Sequence, residues 1–323
     1  MAGAACVACV AVPALVRSEA AAGEPAARVA IFYYPWYSTP RRDGVSTHWF
    51  VQRDGTAQLS TRYYPSRGLY SSSNPQVVDA QMREISAAGI DTVVVSWWGA
   101  DSLEDERLPL VLETALRYRL QVAIHLEPYP GRTPASTASD IEQLGRLGIT
   151  DFNVYDADAD EAAAWAAALA PLAGVRVFGQ TTLVGRAKAA GFDGLYTYDV
   201  GTWNGSAFAR TCTQAHAVGL LCAPSVGPGY DARLATGDTL VRIRRDGAAY
   251  DRMWRCAIRA HADLVTITSY NEWQEGTQIE PARAQVGRPD YDGAWGRAGL
   301  AARHAYLDAT ALWAARFRAA APQ

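Results

Sequence analysis

The chain has 323 residues, enough to bury a large core, and its 30 Lys and Arg against 33 Asp and Glu give a net charge of −3. This balance argues against nucleic acid or an anionic membrane surface as the main partner. The aromatic residues mostly carry a polar edge, with 10 Trp and 16 Tyr against 7 Phe, and such rings suit sugar binding as well as ordinary cores.

The first residues form a small, apolar leader. Residues 2–16 are uncharged, and Ala20-Ala-Ala22 is a candidate cleavage site, which favours a secretory signal. The leader lacks a basic segment and Pro13 interrupts it, so an Ala-rich disordered tail on a cytoplasmic protein is the alternative. No run reaches the roughly twenty apolar residues needed to span a bilayer. We expect residues 1–27 to be this leader and 28–323 to be one catalytic domain that is secreted, periplasmic or held at the cell surface.

From residue 28 onward, strand-like runs alternate with helical stretches. The predicted strands are 29–37, 92–98, 121–129, 151–156, 175–182, 194–200, 220–227 and 264–273. Most are continuous apolar runs, which is typical of parallel strands buried on both faces. The predicted helices are 76–88, 104–119 with a start delayed by Pro109, 140–147, 160–172, 186–190, 207–218, 244–262 and 297–315.

About eight βα units in this length predict an α/β fold, a single (β/α)₈ TIM barrel with extended βα loops. A doubly wound open sheet is the alternative, but it usually has fewer strands, and no Gly-rich dinucleotide loop follows the first strand. The longest loop, residues 38–73, is rich in Tyr, Trp, Arg and Ser, and we expect it to form a wall of a binding cleft.

The cysteines say little about function. Cys6 and Cys9 lie in the leader, and Cys212, Cys222 and Cys256 lie in the body. An odd count without a CxxC motif is a poor zinc site and a poor disulfide framework. Pairing of Cys212 with Cys222 is one option, but we expect buried free thiols.

Nearly every predicted strand turns polar and aromatic at its carboxyl end. Catalytic groups of α/β barrels lie at this end, and seven such transitions in register are hard to explain by core packing alone. The strand ends carry the candidate residues Tyr37, Trp98, His125, Glu127, Tyr196, Tyr198, Tyr230, Asn271, Glu272, Trp273 and Glu275.

The most informative segment follows the last predicted strand, where Glu272 and Glu275 lie three residues apart around Trp273. This spacing brings two carboxyls to one surface if the loop coils into a helical turn. Paired carboxyls suit the cutting of a glycosidic bond, and an indole suits stacking on a sugar. Close spacing favours retention of configuration. The alternative is a solvated helix start, where acids are stabilised by the helix dipole.

Glu127 is a third acid at a strand end. We expect it to bind a substrate hydroxyl or to tune the acidic pair by like-charge repulsion, and the alternative is an ion pair with Arg132. His125 is more typical of a satisfied structural histidine than of a ligand, and His48 lies in the aromatic loop, where it is a candidate to face the cleft. The sequence contains no Walker loop, HExxH motif or nucleophile elbow, and we expect no metal site and no cofactor.

These residues stand in blocks that resemble a known family. The blocks include Thr47-His-Trp49, Tyr63-Tyr-Pro65, Gly68-Leu-Tyr-Ser-Ser72, Val95-Ser-Trp-Trp-Gly99, His125-Leu-Glu-Pro-Tyr129, Gly191-Phe-Asp-Gly-Leu-Tyr-Thr-Tyr198, Pro224-Ser-Val-Gly-Pro-Gly-Tyr230 and Thr268-Ser-Tyr-Asn-Glu-Trp-Gln-Glu-Gly-Thr-Gln-Ile-Glu280. In this order, from about residue 33 to 280, the chain resembles glycoside hydrolase family 99, the endo-α-mannosidases and endo-α-1,2-mannanases.

The resemblance implies a (β/α)₈ enzyme that cleaves internal α-mannosidic bonds of glycans or mannan with retention, without a metal, through a 1,2-anhydro sugar. By motif position, Glu272 would be the base toward the sugar 2-hydroxyl and Glu275 the acid/base. The candidate substrate-binding residues are Glu127, Tyr37, His48, Trp98, His125, Tyr196, Tyr198, Tyr230, Asn271 and Trp273. The expected partner is an α-mannoside oligosaccharide or polysaccharide, and we expect a monomer.

Two departures from the family pattern leave the exact glycan open. Gln274 stands where the family usually carries His, and residues 233–238 read Arg-Leu-Ala-Thr-Gly-Asp where it usually has Arg-Pro-Trp-Asn. One alternative function is an α-glycosidase of other specificity, such as an α-glucanase. Another is a sugar-binding barrel that has lost turnover.

Overall fold

The computed structural model describes residues 27–321. The leader predicted for residues 1–27 lies outside this part apart from its last residue, so its role as an export signal stays a prediction. None of the helices in the described part is long and apolar enough to cross a membrane.

The core of the fold is a barrel of eight parallel strand positions. These are β1 (Arg28–Tyr33), β2 (Thr92–Trp97), β3 (Gln121–Leu126), β4 (Asp151–Val154), β5 (Arg176–Gln180), β6 (Gly194–Tyr196), β7 in two pieces (Leu221–Ala223 and Ser225–Val226) and β8 (Leu264–Ile267). All six residues of β2, Thr-Val-Val-Val-Ser-Trp, are buried, as its unalternating apolar run predicted.

Pro224, which has no backbone N–H, divides β7 and accounts for the break in the ladder. The first piece pairs with β6, with Leu221 opposite Gly194, and the second pairs with β8, with Ser225 opposite Thr266. β8 in turn pairs with β1, so the sheet closes on itself. The predicted (β/α)₈ barrel is confirmed, and the open sheet is excluded.

Eight helices follow the eight strands. They are α1 (Pro75–Ala87), α2 (Leu103–Arg117), α3 (Pro134–Gly145), α4 (Ala162–Leu169), α5 (Val184–Ala189), α6 (Phe208–Ala217), α7 (Ala248–Arg259) and α8 (Ala305–Ala320). Shorter helical turns cover Pro40–Asp43, Ala157–Ala159, Arg245–Gly247, Ala294–Gly296 and Leu300–Arg303. Small antiparallel ladders join Phe50–Arg53 to Thr56–Leu59 in the long loop, and Tyr230–Asp231 to Val241–Arg242.

Three helix predictions need correction. The helix predicted at residues 140–147 is α3, which begins at Pro134 because the Thr133 side chain accepts a hydrogen bond from Ser136 N and a proline suits the first helical position. Pro109 does not delay α2, which begins at Leu103 because the Ser102 side chain accepts a hydrogen bond from Asp105 N and three acidic residues occupy the first turn. The last helix begins at Ala305 instead of residue 297, since Trp295 and Gly299 adopt positive φ angles that interrupt a helix.

The prediction of free thiols at Cys212 and Cys222 is wrong, because the two form a disulfide with their Cα atoms 5.2 Å apart. α6 ends at Ala217, and the chain reverses through Gly219, at φ +72°, before β7 begins. This reversal places the last turns of the helix against the strand. Cys256 is free and partly buried.

Candidate active site

The two acids that follow β8 lie on one tight turn. Gly276 N donates to Trp273 O at 3.3 Å, and Gly276 takes a φ of +65°, which glycine adopts without strain. The turn brings the carboxyls of Glu272 and Glu275 within hydrogen-bonding reach of each other. Glu272 is 6% exposed and Glu275 is partly exposed. The turn runs from Trp273 to Gly276 with Glu272 directly before it, so the segment does not form the helical turn considered from the sequence.

The environment favours one shared proton on this pair. Burial, and then the negative charge of Glu275, raise the pKa of Glu272 well above its usual range. Burial raises the pKa of Glu275 to about 7. Because interacting carboxyls titrate as a unit, the pair keeps a proton to higher pH than an isolated glutamate does.

A tyrosine pair positions Glu272. The Tyr198 hydroxyl donates to Glu272 Oε2 at 2.5 Å, and the Tyr34 hydroxyl is hydrogen-bonded to that of Tyr198. Tyr198 has a φ of +47°, a conformation held by its N–H donating to Ser225 Oγ at 2.8 Å. Tyr34 was not among the predicted site residues. Its only signal was its place in the aromatic run that follows β1.

Glu127 is oriented by neighbours on β2 and β3. Ser96 Oγ donates to Glu127 Oε1 at 2.8 Å, and His125 Nδ1 lies 3.0 Å from the same oxygen. Arg132 makes no ion pair with Glu127, because its guanidinium donates to the backbone carbonyls of Leu126 and Tyr155. The alternative of an Arg132 ion pair is therefore wrong. The charge of Glu127 also contributes to the raised pKa values of the acidic pair.

His125 is a buried structural histidine with a hydrogen-bonding partner at Nε2, whereas its Nδ1 has no partner with hydrogen-bond geometry within residues 27–321. It is 1% exposed, and its Nε2 lies 2.9 Å from the Tyr196 hydroxyl. Its ring stacks on Tyr198 with centroids 5.1 Å apart. Tyr155, a second residue missed from the sequence, packs edge-on against His125 and Tyr198 and is partly exposed. It forms a further aromatic surface beside the three acids.

The structure corrects the expected role of Trp273. This indole is completely buried, and its Nε1 donates to Glu280 Oε2 at 2.7 Å, so neither ring face can stack on a sugar. Tyr37 and Asn271 are also completely buried. The Tyr37 hydroxyl donates to Asn271 O at 2.9 Å and accepts from Trp273 N at 3.0 Å. Tyr196 has no exposed surface either. All four residues are therefore buried supports of the site and do not line its surface.

The aromatic loop 38–73 reaches the catalytic turn through His48. Its ring stacks on Trp36 at 4.2 Å, and its Nδ1 lies 3.4 Å from Gln274 Oε1. Gln274 Nε2 in turn donates to Ser60 Oγ at 3.0 Å. Burial lowers the pKa of His48 to about 4, so the ring is neutral at physiological pH.

Trp98 and Tyr230 are the partly exposed aromatic residues among the predicted set. The Tyr230 hydroxyl donates to Asp238 Oδ2 at 2.9 Å, and burial and then the charge of Glu275 raise its pKa, which indicates proximity to the pair. Trp98 Nε1 has no hydrogen-bond partner within residues 27–321. By contrast, Trp97 Nε1 donates to Asp105 Oδ1 at 2.7 Å, beneath α2.

No group of three or more His, Cys, Asp or Glu side chains in the described part of the chain is arranged to hold a metal ion. The site consists of three carboxyls, two of them with raised pKa values, surrounded by tyrosine and tryptophan at the carboxyl end of a parallel barrel. This combination of fold and site defines a glycoside hydrolase.

The comparisons with known proteins identify the family. The model of glycosyl hydrolase family 99 matches residues 26–319, and the chain belongs to that family. The chain is 31% identical over 314 residues to a human glycoprotein endo-alpha-1,2-mannosidase-like protein, covering 78% of this chain and 68% of the relative. It is 29% identical over 311 residues to a mouse glycoprotein endo-alpha-1,2-mannosidase, with 78% and 67% covered.

A solved structure agrees with these relatives. The endo-alpha-mannosidase of this family from Bacteroides thetaiotaomicron superimposes with a TM-score of 0.81 at 28% identity, covering 92% of this chain and 99% of that one. The family resemblance inferred from the sequence motifs is confirmed.

Proposed function

We propose that this enzyme hydrolyses internal α-mannosidic bonds of a glycan or mannan with retention of configuration. The observation that carries the proposal is the contact between Glu272 and Glu275 on one turn, with burial raising the pKa of both carboxyls. Similarity to the mouse glycoprotein endo-alpha-1,2-mannosidase and to the endo-alpha-mannosidase from Bacteroides thetaiotaomicron supports mannose as the sugar.

In the first step, Glu272 takes the proton of the sugar 2-hydroxyl, and the resulting oxygen attacks the anomeric carbon. Glu275 gives its proton to the departing glycosidic oxygen as that bond breaks, which leaves a 1,2-anhydro sugar. In the second step, Glu275 takes a proton from water, the water oxygen attacks the anomeric carbon, and Glu272 returns a proton to the 2-oxygen. Two inversions give net retention, and the nucleophile is intramolecular, so it gains the advantage of proximity.

The hydrogen bond from Tyr198 supports this division of roles. It stabilises the ionised form of Glu272 and opposes the effect of burial on its pKa. The hydrogen bond therefore favours the ionised form of Glu272 that the first step requires of the base.

The other polar and aromatic groups fit substrate binding. Glu127 is 5% exposed, and its position beside the pair suits it to accept a hydrogen bond from a sugar hydroxyl. Trp98, Tyr155 and Tyr230 are partly exposed. Rings with a polar edge are suited to sugars, whose C–H faces are apolar and whose rims carry hydroxyls.

The test is product analysis on defined substrates. The enzyme is incubated with α-1,2- and α-1,3-linked manno-oligosaccharides and with matched α-glucans, while NMR follows the newly released anomer. We expect cleavage of an internal mannosidic bond with the α-anomer appearing first. Initial release of the β-anomer would contradict the mechanism, and cleavage of α-glucans alone would favour the α-glucanase alternative. Calorimetric binding of mannosides without product would favour the barrel that has lost turnover.

A further inference from the structure

One buried arginine donates hydrogen bonds to the backbone of the turn that carries Glu275. Arg244 is 8% exposed and lies between the Val241–Arg242 strand and α7. Its Nη2 donates to Gly276 O at 2.9 Å and to Gln278 O at 2.6 Å. Gly276 directly follows Glu275, so one guanidinium holds the backbone on which the proposed acid/base is mounted.

The charge of Arg244 has no carboxylate partner. No Asp or Glu lies within ion-pair distance of its guanidinium in the stretch from residue 27 to 321. Three tyrosine rings surround it instead, with centroids 4.7 Å (Tyr63), 4.9 Å (Tyr291) and 4.7 Å (Tyr306) from its Cζ. A guanidinium is always charged in proteins, and aromatic faces are attractive to a cation that is out of water.

The three tyrosine rings around Arg244 form a cage, and they come from parts of the chain that are distant from one another in sequence. Tyr63 comes from the long loop after β1, Tyr291 from the segment after β8, and Tyr306 from α8. Tyr291 also contacts the segment that follows the turn, since its hydroxyl donates to Glu280 O at 2.8 Å. The position of Glu275 therefore depends on packing against the long loop after β1 and against α8, neither of which carries one of the two acids.

Arg244 is surrounded by tyrosine rings and not by a carboxylate, and this difference affects the electrostatics of the acidic pair. An aspartate or glutamate paired with Arg244 would place another negative charge next to two carboxyls whose shared proton is sensitive to like charges. Burial raises the pKa of Tyr291 and of Tyr306, so these rings stay neutral and hold the cation without adding a negative charge near the pair. The cage can thus fix the turn and leave the titration of the pair to Tyr198, Glu127 and burial.

We propose that Arg244, held by Tyr63, Tyr291 and Tyr306, is a positioning residue that keeps the Glu275 carboxyl in contact with Glu272. This inference rests on the proposed function for its kinetic consequence but not for its structural one. Without the guanidinium, the turn relaxes, the two carboxyls separate, and both become better solvated. Their ability to share one proton is then lost.

The test compares Arg244→Ala with Arg242→Ala. Arg242 is a matched control, because it also donates to backbone carbonyls, those of Gly201 and Thr202, but makes none of these contacts with the turn. We expect Arg244→Ala to lower kcat by about 100-fold, as displacement of a catalytic group by roughly 1 Å does, with KM little changed. Guanidinium added below its denaturing range restores part of kcat, whereas methylammonium, which has no planar fork, does not. Arg242→Ala keeps wild-type kcat.

A second measurement needs no substrate. In protein with ¹³C-labelled glutamate carboxyls, NMR titration follows the coupled pair, and Arg244→Ala should shift the titration of Glu275 from about 7 toward the usual glutamate range. A merely structural role would reduce the folded fraction without moving this titration. An unchanged titration and an unchanged kcat in folded Arg244→Ala would overturn the inference.

Two further arrangements keep the test decisive. If Arg244→Ala does not fold, the same measurements are made on Tyr63→Leu. This substitution removes one ring of the cage at a partly exposed position, and Tyr63→Phe, which keeps the ring, is its control. Tyr63→Leu should shift the titration and Tyr63→Phe should not, and identical behaviour of the two would overturn the cage. If the wild-type enzyme cleaves no mannoside while the titration shift is seen, the proposed function fails and the positioning role stands.

Discussion

The Tyr198 hydroxyl lies 2.5 Å from Glu272 Oε2 and donates a hydrogen bond to it. The donor is fixed by the backbone, because Tyr198 is held at positive φ by Ser225 on the neighbouring strand β7. The charge state of Glu272 therefore depends on a tyrosine whose position is set by barrel geometry. The substitution Tyr198→Phe, which removes only the hydroxyl oxygen, tests this dependence.

Tyr198→Phe should lower kcat/KM about 10- to 100-fold and shift the acidic limb of the pH profile to higher pH. The hydrogen bond from Tyr198 lowers the pKa of Glu272, so its loss raises that pKa further and leaves less of the ionised base at a given pH. The measurement is kcat/KM against pH. Tyr250→Phe is the control, since its hydroxyl contacts Thr310 far from the acids. An unchanged acidic limb in Tyr198→Phe would disprove the role given to this hydrogen bond.

Glu275→Gln should stabilise the folded protein at about pH 8 by roughly 1–3 kcal/mol, an advantage that disappears near pH 4. Burial raises the pKa of Glu275 to about 7, so between the usual value and 7 the folded state binds more protons than the unfolded chain. Stability then falls as pH rises through this window, and glutamine, which does not ionise, avoids the loss. Urea unfolding of both proteins at the two pH values measures the difference. Equal stabilities at the higher pH would mean that Glu275 ionises in the folded protein at no cost.

Trp273→Phe should lower stability by about 1.5–3 kcal/mol and reduce kcat more than it raises KM. The substitution keeps an aromatic ring but removes the indole N–H that donates to the buried Glu280 carboxyl. A supporting role acts on the placement of the turn, whereas a ring stacked on the sugar would act mainly on KM. Separate determination of kcat and KM distinguishes the two. A large rise in KM alone would restore the stacking role that the buried position of Trp273 argues against.

Reduction of the disulfide, or the double substitution Cys212→Ala and Cys222→Ala, should lower the free energy of unfolding by about 3 kcal/mol. The bridge closes a loop between residues 10 apart in sequence, and its loss returns conformational freedom to the unfolded chain. Denaturant unfolding with and without reductant measures this, and Cys256→Ser, at a free thiol, is the control. A protein whose stability does not respond to reductant would show that the bridge does not form in solution.

The sequence predicted the parts of the fold that depend on local pattern. The apolar runs located all eight strands, and the polar change at their ends located Glu272, Glu275 and Glu127, because strand direction fixes which end of a parallel barrel carries catalytic groups. The strands themselves are shorter than predicted. The tails after Tyr33, Leu126 and Ile267 are loops, since their residues bond to side chains and to other loops instead of extending the ladder.

The errors concern contacts between distant residues. Trp273 is buried against Glu280, whereas Trp98 is partly exposed. No local pattern distinguished the two, because an irregular loop has no periodicity that indicates where a side chain points. The Cys212–Cys222 bridge depends on a chain reversal at Gly219. The Tyr34 side chain joins the site through the hydroxyl of Tyr198, which lies 164 residues away in the loop after β6. Such contacts depend on how the closed barrel brings distant segments together, and local sequence patterns do not indicate them.

Release of fluoride from an α-mannobiosyl fluoride tests the roles of Glu272 and Glu275 most directly. Fluoride leaves without protonation, so the first step needs the base but not the acid. We predict that Glu275→Gln releases its first equivalent of fluoride at nearly the wild-type rate, while Glu272→Gln is slower by about 10²- to 10⁴-fold, the usual contribution of a general base. The opposite order, or wild-type turnover of an ordinary mannoside by either variant, would contradict the assignment of this carboxyl pair as the catalytic acid and base.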